Sequence, residues 1–397
     1  MNEKIVAPAA AALACILFLL ALAAQHDSLS PQSLANQHFA ATPSYATALT
    51  ELNRAWPPLY PTLLFGITEL GVPLGQVNAL LFLITMALLF AAGRRVAPGV
   101  HPAWAVALYA ACSFNAFNLH QLVSEALFVP LTIGTLLLAG RCARTGATRD
   151  QLLLSVLLAA CCLTRYFALV WLVPIVGVAL VAGGSEKSKQ RVARAVAVCT
   201  GAALPLAAWM LHARITTGYL TGMDRFAARI FSEKTTILGN ISLGGRTLFI
   251  DGFVPGTNAS HTAVGPGWTA DPTGMAIALA AGVLVVLCTR IVLASRSRRV
   301  SDDPRVLAVL LPGLSVGYLV VLLTVWSLGN NDPLYSRFVY PCYVFFVLGS
   351  VRLYSNVKRT TAEAGSRRPF QLLYALMLSS QVVGTLLVLR QAGATSP

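Results

Sequence analysis

Apolar runs of roughly twenty residues, separated by short polar connectors, set the rhythm of this chain. A run of about that length is what one helix needs to cross the hydrocarbon core of a bilayer. Such runs fall at 5–24, 75–92, 102–118, 122–140, 151–164, 167–183, 192–211, 273–294, 306–327, 338–353 and 370–389. They predict an all-α polytopic membrane protein with about eleven transmembrane helices, forming one unit over residues 1–397. The fifth and sixth runs are a tight pair hinged at Thr164-Arg165-Tyr166. The first run could pass for a secretory signal, but its length suits an uncleaved first span.

Two stretches break the rhythm. Residues 25–61 are polar, aromatic and proline-punctuated, and close on Trp56-Pro57-Pro58-Leu59-Tyr60-Pro61. The apolar segment from Leu59 to Leu70 is too short to span, which predicts an interfacial or re-entrant helix there, with Trp56 and Tyr60 at the membrane–water boundary. Residues 213–271 form a second long stretch. Asp224 to Phe231 has the spacing of a surface helix, and Gly239 to Gly267 reads as turn and loop.

The connectors fall into two alternating sets. One is basic: Arg94-Arg95; Arg141, Arg144 and Arg149; Lys187, Lys189, Arg191 and Arg194; Arg296, Arg298, Arg299 and Arg305; Lys358, Arg359, Arg367 and Arg368. The other is poor in Lys and Arg. Basic connectors stay in the cytoplasm. The N-terminus is therefore expected inside and the C-terminus outside, with 25–61 and 213–271 as outer loops. The same distribution accounts for the net charge of +14 without a nucleic-acid partner. Only 11% of residues are charged and 56% are hydrophobic, with a mean hydropathy of +0.69. That is too little polar surface for a soluble globule. The eight cysteines show no zinc-like spacing or disulfide framework. No pair of histidines has metal-ligand spacing, so neither a metal nor a cofactor is expected.

Ionisable groups near span ends stand out against this background, because burying charge in a bilayer is costly unless a cavity or partner receives it. Asp27 follows the first span. His120 and Glu125 lie between the third and fourth, Arg165-Tyr166 between the fifth and sixth, and Arg337 opens the tenth. The topology puts all four junctions on the outer face. Each residue also has a plain reading: Asp27 as a solvated loop acid, Glu125 as a favourable charge at a helix N-terminus, Arg165 and Arg337 as side chains snorkelling to headgroups. Taken together, an acid able to act as base and arginines able to grip a phosphate bidentately suit a lipid-phosphate substrate. The reaction class is glycosyl transfer from a lipid-phosphate sugar, with inversion at the anomeric carbon.

Five local patterns carry a family resemblance: Asp27-Ser28 after the first span, Trp56 to Pro61, Ser124-Glu125-Ala126-Leu127-Phe128, Leu163-Thr164-Arg165-Tyr166-Phe167, and Ser336-Arg337-Phe338-Val339-Tyr340-Pro341. In order and placement the chain resembles the bacterial GT-C membrane glycosyltransferases, which include protein O-mannosyltransferases and the aminoarabinose transferase of lipid A. The resemblance implies a GT-C-like bundle in the bacterial inner membrane whose first outer loop carries interfacial helices and the catalytic acid. It implies a polyprenyl-phosphate sugar as donor, used on the outer side for an acceptor of unspecified chemistry. Asp27 takes the position of the base, and Glu125 that of a catalytic-end acid that binds acceptor or orders the site. Arg165 and Arg337 take donor-phosphate positions, and Tyr60, Trp56, Tyr166, His120 and Tyr340 substrate contacts. In its first outer loop the chain departs from the family pattern in two ways: Leu29 to Ser33 holds no tyrosine, and the loop holds no paired acids, which keeps Glu51 as an alternative base. Two other readings use the same ligand class, an O-antigen ligase or polymerase with its chemistry on Arg225, Arg229, Arg246 and His261, and a transporter or flippase of lipid-linked sugars.

Overall fold

The structure is a computed structural model that describes residues 3–24, 37–38, 40–42, 44, 57–111, 122–171, 188–220 and 336–360. Asp27, Glu51, Trp56, His120, most of 213–271 and the expected spans at 273–294, 306–327 and 370–389 lie outside the described residues.

The described chain is helical. In order come α1 (Glu3–Ala24), α2 (Leu59–Glu69), α3 (Leu74–Val96), α4 (Ala103–Ala110), α5 (Glu125–Thr145), α6 (Thr148–Thr164), a 3-10 turn (Tyr166–Trp171), α7 (Ser188–Thr217) and α8 (Ser336–Thr360). Among the described residues, four segments are long and apolar enough to cross a membrane: Glu3–Leu20, Gln76–Val96, Glu125–Thr145 and Val192–Thr217. Two helices outrun the apolar runs that announced them. α7 begins at Ser188 and continues to Thr217, and α8 continues to Thr360. Hydropathy marks the part of a helix that fits hydrocarbon, whereas backbone hydrogen bonding carries α7 onward through Lys189 and Arg191 at one end and His212 and Arg214 at the other. The long connector therefore starts after the Gly218 turn rather than at 213.

Neighbours follow a simple order. α1 packs on α4, α4 on α3, α3 on α5, α5 on α6 and α6 on α7, while α8 rests on α3, α4 and α5. Phe18 of α1 stacks on Phe82 of α3 with ring centroids 3.9 Å apart. Large apolar side chains also face outward: Ile5 and Ile16 on α1, Leu80 and Leu83 on α3, Leu152 and Val156 on α6, Leu204, Leu211 and Ile215 on α7. Apolar exposure spread over so many helices suits lipid rather than water as the surrounding solvent. Hydroxyls on the apolar helices are absorbed locally: Thr85, Thr132 and Thr164 each donate to the carbonyl four residues back, at 2.7 Å. Prolines 8, 130 and 205 sit inside α1, α5 and α7. Membrane helices tolerate such interruptions because neighbouring helices and hydroxyls satisfy the backbone groups that proline frees.

Two helix stops set the directions of the bundle. α2 ends in a Schellman arrangement: Gly71, at φ +73°, donates to the Thr68 carbonyl and Val72 to that of Ile67. Pro73 follows and α3 begins at Leu74. α5 stops at Gly146, left-handed at φ 62°, and α6 returns two residues later. The short return is braced by Asp150, which accepts hydrogen bonds from Thr145 Oγ1 at 2.7 Å and Arg141 Nε at 3.0 Å. Gln151 donates to the Gly146 carbonyl at 2.9 Å.

At this arginine-rich end the other helix ends meet. Arg95 reaches the Leu137 carbonyl, Arg352 that of Val96, and Ser355 that of Pro98, while the Glu3 carboxylate accepts from the His101 backbone N–H. The first turns of α3, α5 and α8 must therefore lie together at the opposite end.

The Thr145 hydroxyl, ahead of Arg141, holds the Asp150 carboxyl below the usual carboxylate range, outweighing its burial. A carboxylate with a lowered folded-state pKa adds stability above its unfolded value, near 3.9, and that stability is lost as pH falls through the lowered value. Asp150→Asn is expected to lower the thermal midpoint in detergent by a constant amount above about pH 5, with the gap to wild type closing toward pH 3. A gap that stays unchanged to pH 3 would show that the charge on Asp150 contributes nothing.

Candidate functional site

The end opposite the arginine cluster gathers polar groups from four helices. The short helix α2 touches α3 and α6, and its Tyr60 is fully enclosed. The Tyr60 hydroxyl donates to Asn78 Oδ1 in the opening of α3, at 3.1 Å. Burial chiefly, and the nearby Glu125 charge secondarily, push the Tyr60 phenol far above its ordinary range, so it stays a neutral hydrogen-bonding group. Its ring is thus enclosed by neighbouring helices, and Asn78 offers the hydroxyl a partner there.

Glu125 is the first residue of α5 and is 1% exposed. Ser124 Oγ lies 3.3 Å from Glu125 Oε2 and donates to it. A negative charge in a first helical turn is favoured by the unsatisfied N–H groups there, but burial on this scale demands a counter-charge. Arg165 supplies it: its Nη1 forms an ion pair with Glu125 Oε1. Arg165 immediately follows α6, in extended backbone at φ −148° and ψ 127°. The turn is pinned on both sides, since Arg165 N donates to Cys161 O at 2.9 Å and Ala168 N to Arg165 O at 3.0 Å. The guanidinium also lies over the Phe128 ring, 5.9 Å from its centroid. Glu125 and Phe128 are three residues apart on one helix and so share a face. The cation is therefore held by a carboxylate and a ring from a single helical turn.

Tyr166, next in sequence, is half-buried, and its hydroxyl accepts from Trp209 Nε1 on α7 at 3.2 Å. The Trp209 ring adjoins His212 one turn on, centroids 5.6 Å apart. α8 brings Arg337 and Tyr340 into its first two turns. Tyr343, just beyond them, lies against Tyr109 of α4, which fixes the level of the helix in the bundle. Only the backbone positions of Arg337 and Tyr340 belong to the described structure.

Of the residues singled out in the sequence, Tyr60, Glu125, Arg165 and Tyr166 come together at this end. The sequence reading missed three partners. Asn78 was detectable as one of two amides, with Gln76, near the start of a largely apolar span. Phe128 was detectable from its three-residue spacing to Glu125. Trp209 carried no signal, because its role depends on how α7 packs against α6. The snorkelling reading of Arg165 does not hold, since the guanidinium turns inward to Glu125. Chemically, the pair holds a cation with several N–H donors beside an aromatic ring, an arrangement suited to an anionic group.

Residues 56–212 match the profile of the family described as dolichyl-phosphate-mannose-protein mannosyltransferase. The matched segment runs from Trp56 to His212 and contains Tyr60, Asn78, Glu125, Phe128, Arg165, Tyr166 and Trp209. No curated protein matches the chain.

Proposed function

We propose that this chain, over residues 56–212 a member of the dolichyl-phosphate-mannose-protein mannosyltransferase family, moves a sugar from a polyprenyl phosphate to an acceptor hydroxyl on the outer face of a bacterial inner membrane. The observation that carries the reading is Arg165, set by Glu125 and Phe128 at the end of the bundle within the matched segment. The end rich in Arg94, Arg95, Arg141, Arg144 and Arg149 faces the cytoplasm on this reading, and the Glu125 end faces outward.

In the reaction, Asp27 takes the proton of the acceptor hydroxyl as its oxygen attacks the anomeric carbon. The bond from that carbon to the phosphate oxygen breaks, and its electron pair leaves with the phosphate. The phosphodiester becomes a monoester with one more negative charge. Arg165 and Arg337 stabilise that growing charge, which makes their contribution larger in the transition state than in the bound donor. A single displacement inverts the anomeric centre. Trp56, Tyr60, Tyr166, His120 and Tyr340 enclose donor and acceptor around this centre.

Mass spectrometry of lipids retained by the purified protein tests the donor. A polyprenyl-phosphate sugar enriched over bulk phospholipid is expected and would name the sugar. Retention of bulk phospholipid alone, from cells known to make such donors, would sink the assignment. A companion measurement concerns Arg337. Arg337→Ala should weaken binding of polyprenyl phosphate about tenfold, the loss of one charge-assisted hydrogen bond, and leave binding of the neutral polyprenol unchanged. Equal losses for both ligands would assign Arg337 to packing.

A further inference from the structure

We propose that Glu125 is a positioning residue that acts through Arg165: it sets the guanidinium at the angle and depth at which a phosphate meets it, and exchanges no proton with the acceptor. The proposal rests on the glycosyl-transfer reading and defines one role within it. Three observations support it. First, the pair is asymmetric in depth. The Glu125 side chain is 1% exposed and that of Arg165 10%, so the arginine is the more accessible member of the pair. Second, one carboxylate oxygen is committed to Arg165 and the other accepts from Ser124, which leaves the carboxylate engaged rather than poised for proton abstraction. Third, the arginine springs from extended backbone between a helix end and a 3-10 turn. A long side chain starting from such a point has many rotamers, and each one fixed costs entropy. Glu125 and the Phe128 ring fix it before any ligand arrives, which is the arrangement that preorganised charge stabilisation requires.

The Glu125 charge itself opposes an incoming phosphate, so removing it has two consequences of opposite sign. Comparing Glu125→Gln with Glu125→Ala separates them. Both remove the charge, and only glutamine keeps an oxygen in place to accept from the guanidinium. The measurement is binding of polyprenyl phosphate and of the matching neutral polyprenol to protein in nanodiscs. Glu125→Ala is expected to bind the phosphate about tenfold more weakly than Glu125→Gln, which corresponds to one hydrogen bond at a charged group. The two variants should bind the polyprenol alike. Combined with Arg165→Ala, the two replacements should become indistinguishable, because a positioning residue has nothing left to position. A purely structural role would move phosphate and polyprenol together.

Equal phosphate binding by the two variants in the presence of Arg165 would overturn the proposal. So would a difference of undiminished size in the Arg165→Ala background. The parent reading fails separately, and takes the proposal with it, if the unaltered protein does not prefer polyprenyl phosphate to polyprenol.

Discussion

Asp27→Asn protein is expected to insert, fold and bind polyprenyl phosphate like the parent, and to transfer sugar about a thousandfold more slowly. The size follows from the usual contribution of a positioned general base. The amide keeps the shape of the carboxylate and removes only its ability to accept a proton. The acceptor hydroxyl then has to lose its proton to water while attacking, at the stage when Arg165 and Arg337 are already stabilising the leaving phosphate. Single-turnover transfer in proteoliposomes, with donor binding measured in parallel, separates chemistry from binding. Near-parental turnover would remove Asp27 as the base and move the role to Glu51, the other acid of the first loop. Loss of donor binding together with turnover would make Asp27 a binding residue.

The second large effect is expected at Arg165, where stability and activity come apart. Arg165→Ala leaves the Glu125 carboxylate enclosed without its counter-charge. Breaking one side of a buried ion pair costs about 3–5 kcal/mol, a large fraction of the margin of most folded proteins. Replacing both partners with apolar residues of similar volume, Glu125→Leu with Arg165→Met, removes the stranded charge and should recover most of the thermal midpoint in detergent. Transfer should stay depressed by about a hundredfold in the double variant, the usual loss for one preorganised donor at a developing anion. Recovery of activity along with stability would confine Arg165 to holding the bundle together. An Arg165→Ala protein as stable as the parent would show the pair to be wetter, and weaker, than its burial implies.

The elements differ in how openly the sequence declares them. α1, α3 and α5 are apolar over the length of a bilayer, so period and hydropathy point the same way. α7 is also apolar at its centre, but Lys189, Arg191 and Arg194 open it and His212 and Arg214 close it. Those residues cut the apolar signal short while the backbone stays helical. The break after Thr164 was readable because Arg-Tyr interrupts two greasy runs. The 3-10 geometry beyond it was not, since the same residues fit an ordinary helix start.

At the site, Glu125 and Arg165 each stood out alone as charges at span ends. Their pairing was not legible, because it joins residues forty positions apart and depends on how tightly α5 returns into α6. Tyr60 shows the opposite limit: its aromatic-proline surroundings suggested a place at the membrane–water boundary, and nothing in them announced that neighbouring helices would enclose its ring.

The return at Gly146 has one more consequence. It makes α5 and α6 a pair of arms hinged at one end and clasped at the other, with 21 residues in one arm and 17 in the other. The clasp works as a length gauge. Each residue of helix advances about 1.5 Å and turns about 100°, so deleting one residue from α6 would swing Arg165 a quarter-turn or more away from Glu125. Lengthening the hinge beyond Gly146 would instead let the arms slide without rotating them. Sequences that carry this hairpin should vary freely in side chains along the lipid-facing sides of both arms, and hardly at all in the number of residues between the acid and the arginine.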